Sequence, residues 1–139
     1  MSFDSTNRLT VEVEITNGTD VIFAERDSAR PFRRAVVRAF VNERICPLVL
    51  PESLVEQLGL EIEGTTLAKY ADGHTAVRPM AQRVVVCCAG REGIFSAVVL
   101  PDRDTPVLGY IVLNSLDLVI DETGRQLIPR DPRFIISYA

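Results

Sequence analysis

Lysine, histidine, tryptophan and cysteine are all scarce in this sequence. It contains a single lysine, a single histidine, no tryptophan and three cysteines. Cys46, Cys87 and Cys88 are odd in number and two of them are adjacent, so we expect no disulfide framework and a reducing, cytoplasmic location. One histidine and scattered cysteines do not supply the several ligands that a metal site needs. We therefore expect no metal and no cofactor.

Long apolar runs and an excess of positive charge are also absent. No segment approaches the roughly 18 consecutive apolar residues of a membrane span. The first residues contain no apolar core of a secretory signal. The formal net charge of -4 gives no general attraction to nucleic acid or to anionic membranes. We therefore expect neither nucleic acid nor a membrane as a partner.

The usual groupings of catalytic residues are missing as well. The sequence has no Gly-rich phosphate loop and no Ser-His-Asp order. A cysteine nucleophile needs a nearby base such as histidine, and nothing in the sequence places His74 beside Cys46. We interpret His74 as an exposed turn residue, with substrate contact as the alternative.

What the sequence does contain is a series of short apolar segments. Its 139 residues, 47% of them hydrophobic, fit one domain spanning residues 1–139. Gly, Pro or Asp turns separate these segments at roughly ten-residue spacing, which predicts a small all-β barrel or sandwich with two short helices. Asn17-Gly18 predicts a hairpin between strands at 9–15 and 20–25. Further strands are predicted within 32–41, 64–80, 81–90, 93–101 and 105–121, with Asp72-Gly73 at a hairpin tip and helices at 50–60 and near Ile111–Leu116.

The longest apolar region is interrupted by a polar triplet. The strand at 32–41 runs directly into Asn42-Glu43-Arg44, and apolar residues resume before the helix at 50–60. Taken alone, the triplet is interpretable as an exposed turn in a β-barrel.

The order of the features around the triplet resembles that of the retropepsin-like aspartic proteases, the single-domain acid proteases of retroviral type. The resemblance covers residues 32–129 and has four landmarks: the strand before the triplet with "LP" and a helix ending in "LGL" behind it, an "ADG" flap tip, an apolar-apolar-Gly element, and a helix leading into "LDLVID". It implies a closed, mostly antiparallel acid-protease barrel. It also implies a homodimer with the substrate cleft between its subunits.

The resemblance assigns roles to particular residues. A hairpin flap would cover the cleft, and Leu108 and Gly109 would belong to a second substrate-binding element. The segment 133–139 would build the dimer sheet, because an apolar strand is costly to leave as an unpaired edge. The flap residues that would contact a substrate are Ala71, Asp72, Gly73 and His74.

The triplet departs from the family's catalytic motif at every position. In the family this strand ends in Asp-Thr-Gly, and two aspartates, one from each subunit, share a proton. Asn42 stands in the aspartate position, and a carboxamide has no titratable proton near neutral pH. Glu43 replaces the threonine, and Arg44 replaces a glycine that lets the backbone approach the substrate closely. We therefore expect no catalytic residue at these three positions.

These observations predict a pseudoprotease, a dimeric peptide-binding or interaction module that lacks acid-protease catalysis. Two alternatives stay open. One is an active aspartic-type endopeptidase that uses Glu43 or an Asp-bearing partner subunit. The other is an intracellular scaffold whose cleft is filled by Arg44.

Overall fold

A computed structural model describes residues 9–24 and 32–131 of the chain. Most of these residues lie in strands, and the predicted segment 133–139 lies outside the described residues. No helix in the described part is long and apolar enough to cross a membrane. The elements in chain order are β1 (Thr10–Asn17), α1 (Gly18–Ala24), β2 (Arg34–Val41), β3 (Leu48–Pro51), α2 (Glu52–Leu58), β4 (Ile62–Lys69), β5 (Thr75–Cys88), β6 (Arg91–Leu100), β7 (Val107–Leu108), α3 (Tyr110–Ser115), β8 (Leu118–Asp121) and β9 (Gln126–Pro129).

Seven strands form one sheet that largely curls back on itself. Their order is β1-β2-β7-β3-β6-β5-β4, and β1 also pairs with β5. This extra pairing closes a ring of six strands and leaves β4 outside it. Strands β8 and β9 form a separate antiparallel pair.

The sheet is mixed: most strand pairs are antiparallel, as expected, and two pairs are parallel. Strand β2 runs parallel to β7, and β3 runs parallel to β6. The cause is the insertion of β7 between β2 and β3, which follow each other in the chain but do not pair. Strand β7 is antiparallel to β3 at Val49 and Val107.

The segment after Asn17 forms a helix, so the predicted return strand at 20–25 is wrong over its described residues. The side-chain oxygen of Asn17 accepts a hydrogen bond from the Asp20 N–H at 3.1 Å, which caps the start of α1. The side-chain amide of Asn17 donates to the carbonyls of Leu58 and Gly59 at the end of α2. The antiparallel partner of β1 is instead β2, from Thr10 opposite Phe40 to Thr16 opposite Arg34.

The two predicted helices and the predicted hairpin at Asp72-Gly73 are present. Helix α2 ends at Gly59, whose φ of 60° and ψ of 33° place it in the left-handed region that glycine adopts without strain. Helix α3 occupies the predicted position near Ile111, and β4 and β5 form the predicted hairpin with Asp72-Gly73 at its tip.

Apolar side chains fill two clusters. The larger one lies inside the ring and includes Ile15, Leu50 and Val86, none of which is exposed. The smaller one comprises Val49, Val98, Leu100 and Val107, with Phe40, Ile45, Ala68, Tyr70 and Met80 packed against it. Residues of the β4–β5 hairpin and Ile45, which follows the polar triplet, therefore pack against the same apolar cluster.

Candidate functional site

The polar triplet lies in the loop between β2 and β3, and neighbouring backbone fixes the shape of this loop. The N–H of Asn42 donates to the carbonyl of Leu108 at 3.1 Å. The carbonyls of Ile45 and Cys46 accept from the N–H groups of Tyr110 and Ile111 at 2.7 and 3.0 Å. These last two bonds satisfy N–H groups of the first turn of α3, which have no partner inside the helix. The loop and the start of α3 therefore form one hydrogen-bonded unit.

Gly109 is required by this close approach. A Cβ atom at position 109 would lie 2.1 Å from the carbonyl oxygen of Pro47 and 2.5 Å from that of Ile45. Backbone atoms cannot move aside as a flexible side chain can. Any side chain at position 109 therefore displaces the loop.

The three side chains of the triplet have different surroundings. Asn42 is half-buried, and its side-chain oxygen accepts the Arg44 N–H at 3.0 Å, which closes a local turn. Glu43 and Arg44 are exposed, and within the described residues neither forms an ion pair. One copy of the chain thus brings a single carboxylate, that of Glu43, to this loop.

The other predicted substrate-binding residues divide into two groups. Ala71, Asp72, Gly73 and His74 are all exposed at the tip of the β4–β5 hairpin. Leu108 is fully buried in the larger cluster, and Gly109 is covered by the loop. The structure therefore gives Leu108 and Gly109 a supporting position behind the loop.

Tyr70 holds the hairpin tip together, and the sequence analysis missed it. Its ring stacks on that of His74, with centroids 4.3 Å apart and planes 5° from parallel. Its N–H donates to the His74 carbonyl at 2.9 Å. The guanidinium of Arg78 donates to the Tyr70 hydroxyl at 3.0 Å and lies 5.6 Å from the ring centroid. The only signal in the sequence was an aromatic residue close to a turn.

Asp72 forms the second local contact of the tip. Its carboxylate accepts the backbone N–H of His74 at 3.0 Å and also bonds to Nδ1 of the His74 ring. These bonds favour the charged carboxylate and lower the pKa of Asp72, the backbone bond being the larger cause.

A cleft of about 290 Å³ lies between Tyr70 of the β4–β5 hairpin and the loop that follows β6. Phe40 and Tyr70 supply its aromatic walls, and residues 102–105 form its rim. The rim carries Asp102, Arg103 and Asp104, all exposed. The position of the two aspartates on a cleft was not predicted from the sequence.

The cysteines and the histidine do not form a reactive group. Cys46 is exposed in the loop, whereas His74 contacts Tyr70 and Asp72 at the hairpin tip. Burial raises the pKa of the Cys88 thiol to about 11. Burial and the nearby carboxylates of Glu92 and Glu14 raise that of Cys87. No three His, Cys, Asp or Glu side chains in the described ranges are grouped to hold a metal ion.

Comparison with known proteins does not add to this picture. No protein family matches the chain, and no curated protein sequence matches it either.

Proposed function

We propose that this chain is a retropepsin-like protein without acid-protease catalysis, which binds extended peptides as a homodimer in the cytoplasm. The observation that carries the proposal is the position of Asn42, Glu43 and Arg44 in the loop between β2 and β3. In the fold that the chain resembles, this loop carries the catalytic aspartate.

The strand arrangement supports the fold part of the proposal. Strand β7 lies between β2 and β3. The next residue, Gly109, packs directly against the loop because it has no side chain. A closed acid-protease barrel accounts for the ring of six strands. It also accounts for the β4–β5 hairpin outside the ring, which takes the place of a flap.

The residues of the loop explain the absence of catalysis. An acid-protease dyad needs two carboxyl groups close enough to share one proton, so that one acts as base while the other polarises the scissile carbonyl. The carboxamide of Asn42 cannot take part in this proton exchange. Its side-chain oxygen is already used to bond the Arg44 N–H.

The cleft beside the hairpin supports the binding part. Its aromatic walls, Phe40 and Tyr70, rest on the smaller apolar cluster, so a peptide side chain placed there would bury apolar surface. An extended peptide can add main-chain hydrogen bonds to a neighbouring strand. The tip residues Ala71 to His74 are exposed and open to such a ligand.

The surface around the loop supports a homodimer. Glu43 and Arg44 are adjacent and carry opposite charges. A two-fold axis between two copies of this loop would place Glu43 of one copy opposite Arg44 of the other. Tyr110 and Ile111, held to the loop through their N–H groups, are 53% and 45% exposed and provide apolar area beside the charges.

The proposal is tested by incubating the purified protein with a mixed peptide library between pH 3 and 7. We expect no cleavage, together with retention of a subset of peptides that is lost in Tyr70→Ala. Glu56→Gln, which alters an exposed carboxylate on α2, serves as the matched control and should keep the same peptides.

Three results would each overturn a part of the proposal. Pepstatin-sensitive cleavage would show an active protease, and its loss in Glu43→Gln would assign the activity to Glu43. Failure of the protein to retain any peptide would contradict the proposed peptide binding. Co-purification with a subunit bearing Asp-Thr-Gly would replace the homodimer by a heterodimer.

A further inference from the structure

Strand β4 is the free edge of the seven-stranded sheet. It stands at one end of the strand order, and β1, at the other end, pairs with both β2 and β5. Among the described residues β4 pairs only with β5. A free edge presents unpaired N–H and C=O groups that can bond to another strand.

The hydrogen-bond pattern shows which residues of β4 present these groups. Tyr70 donates to His74 across the hairpin, so the alternation of an antiparallel pair directs the peptide groups of Thr66 and Ala68 toward β5 as well. The peptide groups of Thr65, Leu67 and Lys69 consequently face outward. The position of Pro79 agrees with this pattern, because it lies opposite Thr65, where β4 needs no N–H from β5.

The outward-facing part of β4 is symmetric about Leu67. The pairing with β5 is regular from Thr65 to Lys69 and shifts register between Ile62 and Thr65. Leu67 is therefore the central residue of the regular segment. This is the condition for antiparallel pairing of two identical strands about a two-fold axis.

An apolar pair marks the same place. Leu67 lies directly opposite Val77, and each is 65% exposed. Two large apolar side chains on an edge hairpin are costly to leave in water, and native sheets commonly protect such edges. Burial of this pair is therefore a reason for a second strand to add here.

We infer that β4 pairs antiparallel with β4 of a second copy, with Leu67 on the two-fold axis. Leu67 then faces Leu67 of the second copy, and Thr65 faces Lys69. The exposed sheet face gains a row of four apolar side chains, Val77 and Leu67 from each copy.

The charges on β4 suit this register. Lys69 is the only lysine in the chain, and it faces Thr65 of the second copy, on the side of the strand where Glu63 follows beyond the irregular residue Gly64. Glu63 is 60% exposed, with Arg83 at 3.3 Å on its own chain. Diagonal neighbours are within reach of long side chains. No two like charges face each other in this arrangement.

The contact does not depend on the proposed function, although β4 belongs to the hairpin that takes the place of a flap. The loop at Asn42–Arg44 lies between β2 and β3, whereas β4 is the outermost strand. Two different two-fold contacts on one chain link dimers into larger assemblies. The β4 contact therefore predicts species larger than a dimer at high protein concentration if the loop contact also forms, and a dimer if it does not.

The test measures self-association by sedimentation, with the charge substitution Leu67→Lys. This variant sets two ammonium groups against each other on the axis and should raise the dissociation constant of the β4 contact at least tenfold. The matched control is Ile94→Lys, which changes an equally exposed residue (66%) on β6 and should associate like the parent protein. Equal association of the Leu67→Lys and Ile94→Lys variants, or no β4-dependent association of the parent, overturns the inference.

Cysteine cross-linking gives a second readout that does not rely on the behaviour of the lysine variant. In a Cys46→Ser background, Leu67→Cys should form a disulfide-linked dimer under mild oxidation, because paired Cα atoms in this register lie about 5.5 Å apart. Val77→Cys should not, because three strand spacings, about 14 Å, separate its two copies. Equal cross-linking at both positions, or none at Leu67, rules out the register. Peptide retention by the same variants tests the proposed function, so a failure of peptide binding can be distinguished from a failure of the β4 contact.

Discussion

The rings of Tyr70 and His74 stack face to face across the hairpin tip, with their centroids 4.3 Å apart. Tyr70 also forms a wall of the cleft, so one residue belongs to both the tip and the cleft. Its hydroxyl is held by Arg78 on β5. The conformation of the tip therefore determines where the cleft places its aromatic wall.

Replacing His74 by alanine should raise the pKa of Asp72 part of the way to its ordinary value. The substitution removes the bond from the His74 ring but keeps the backbone N–H bond, which is the larger cause of the lowered pKa. Carboxyl chemical shifts measured by NMR against pH would show the change. The carboxylate of Glu61, whose pKa is lowered mainly by its bond to Arg83, provides the control and should not move. An unchanged Asp72 titration would contradict the ring contact.

The same contact sets the sign of a pH effect on the hairpin tip. Because the folded-state pKa of Asp72 is lowered, its stabilising contribution is present above the unfolded-state pKa and is lost as the pH falls through the folded-state value. Hydrogen exchange at the tip amides should therefore speed up toward strongly acidic pH in the parent protein relative to Asp72→Asn. A difference that grows toward neutral pH instead would reverse the assigned sign.

Replacing Gly109 by alanine should destabilise the protein by about 2–3 kcal/mol, the usual range for overpacking at a site that cannot relax freely. The added methyl would overlap the carbonyls of Pro47, Ile45 and Cys46, and moving the last two breaks the bonds from Tyr110 and Ile111. Urea unfolding gives the free energy. Asn114→Ala, at an exposed position of the same helix, should change it by less than about 0.5 kcal/mol. Equal stability of the two variants would contradict the packing.

Replacing Asp20 by alanine should cost about 2 kcal/mol of unfolding free energy, between a single hydrogen bond and a fully buried ion pair. Asp20 is 1% exposed and accepts from the backbone N–H, Nε and Nη2 of Arg33. The Arg33 side chain is 47% exposed, so it can return to water once its partner is removed.

A more exposed ion pair supplies the comparison for Asp20. Glu61→Ala breaks the contact between Glu61 and Arg83. These two side chains are 44% and 37% exposed, so the loss of unfolding free energy should be smaller than in Asp20→Ala. Thermal or urea unfolding of both variants measures the difference. A larger loss in Glu61→Ala than in Asp20→Ala would refute the ranking.

Alkylation should distinguish the three cysteines in the folded protein. Cys46 is exposed and should react first, whereas Cys88 is 3% exposed and its pKa near 11 keeps the thiol protonated at pH 8. Cys87, half-buried beside Glu92 and Glu14, should react at an intermediate rate. Peptide mass spectrometry after timed iodoacetamide treatment reads the order. Rapid labelling of Cys88 without denaturant would argue against its burial.

Glycine and turn signals in the sequence were enough to predict the helix and the hairpin in which they occur. Gly59 ends α2 in the left-handed conformation, and Asp72-Gly73 turns the β4–β5 hairpin, both as predicted. The Asn17-Gly18 signal failed because Asn17 bonds to carbonyls of Leu58 and Gly59, more than 40 residues away. That distant contact favours a helix start over a hairpin turn.

The sequence predicted that the polar triplet follows a strand, and the structure places it in the loop after β2. The triplet was located by its neighbours in the sequence, and it does lie in a loop held against Gly109. Tyr70 was missed because its role depends on stacking with His74 and bonding to Arg78, which only the hairpin register brings together. The parallel pairings were missed because nothing near β2 or β3 in the sequence indicates that β7 inserts between them.

The insertion of β7 also has a consequence for the order of folding. The Ile45 carbonyl and the Tyr110 N–H that bond to each other are about 65 residues apart along the chain, and contacts of such separation form slowly because the intervening loop must first close. A nascent chain that ends before Val107 has β2 and β3 without the strand that lies between them. The loop that carries Asn42, Glu43 and Arg44 therefore takes its final shape only once the chain has been made through Ile111.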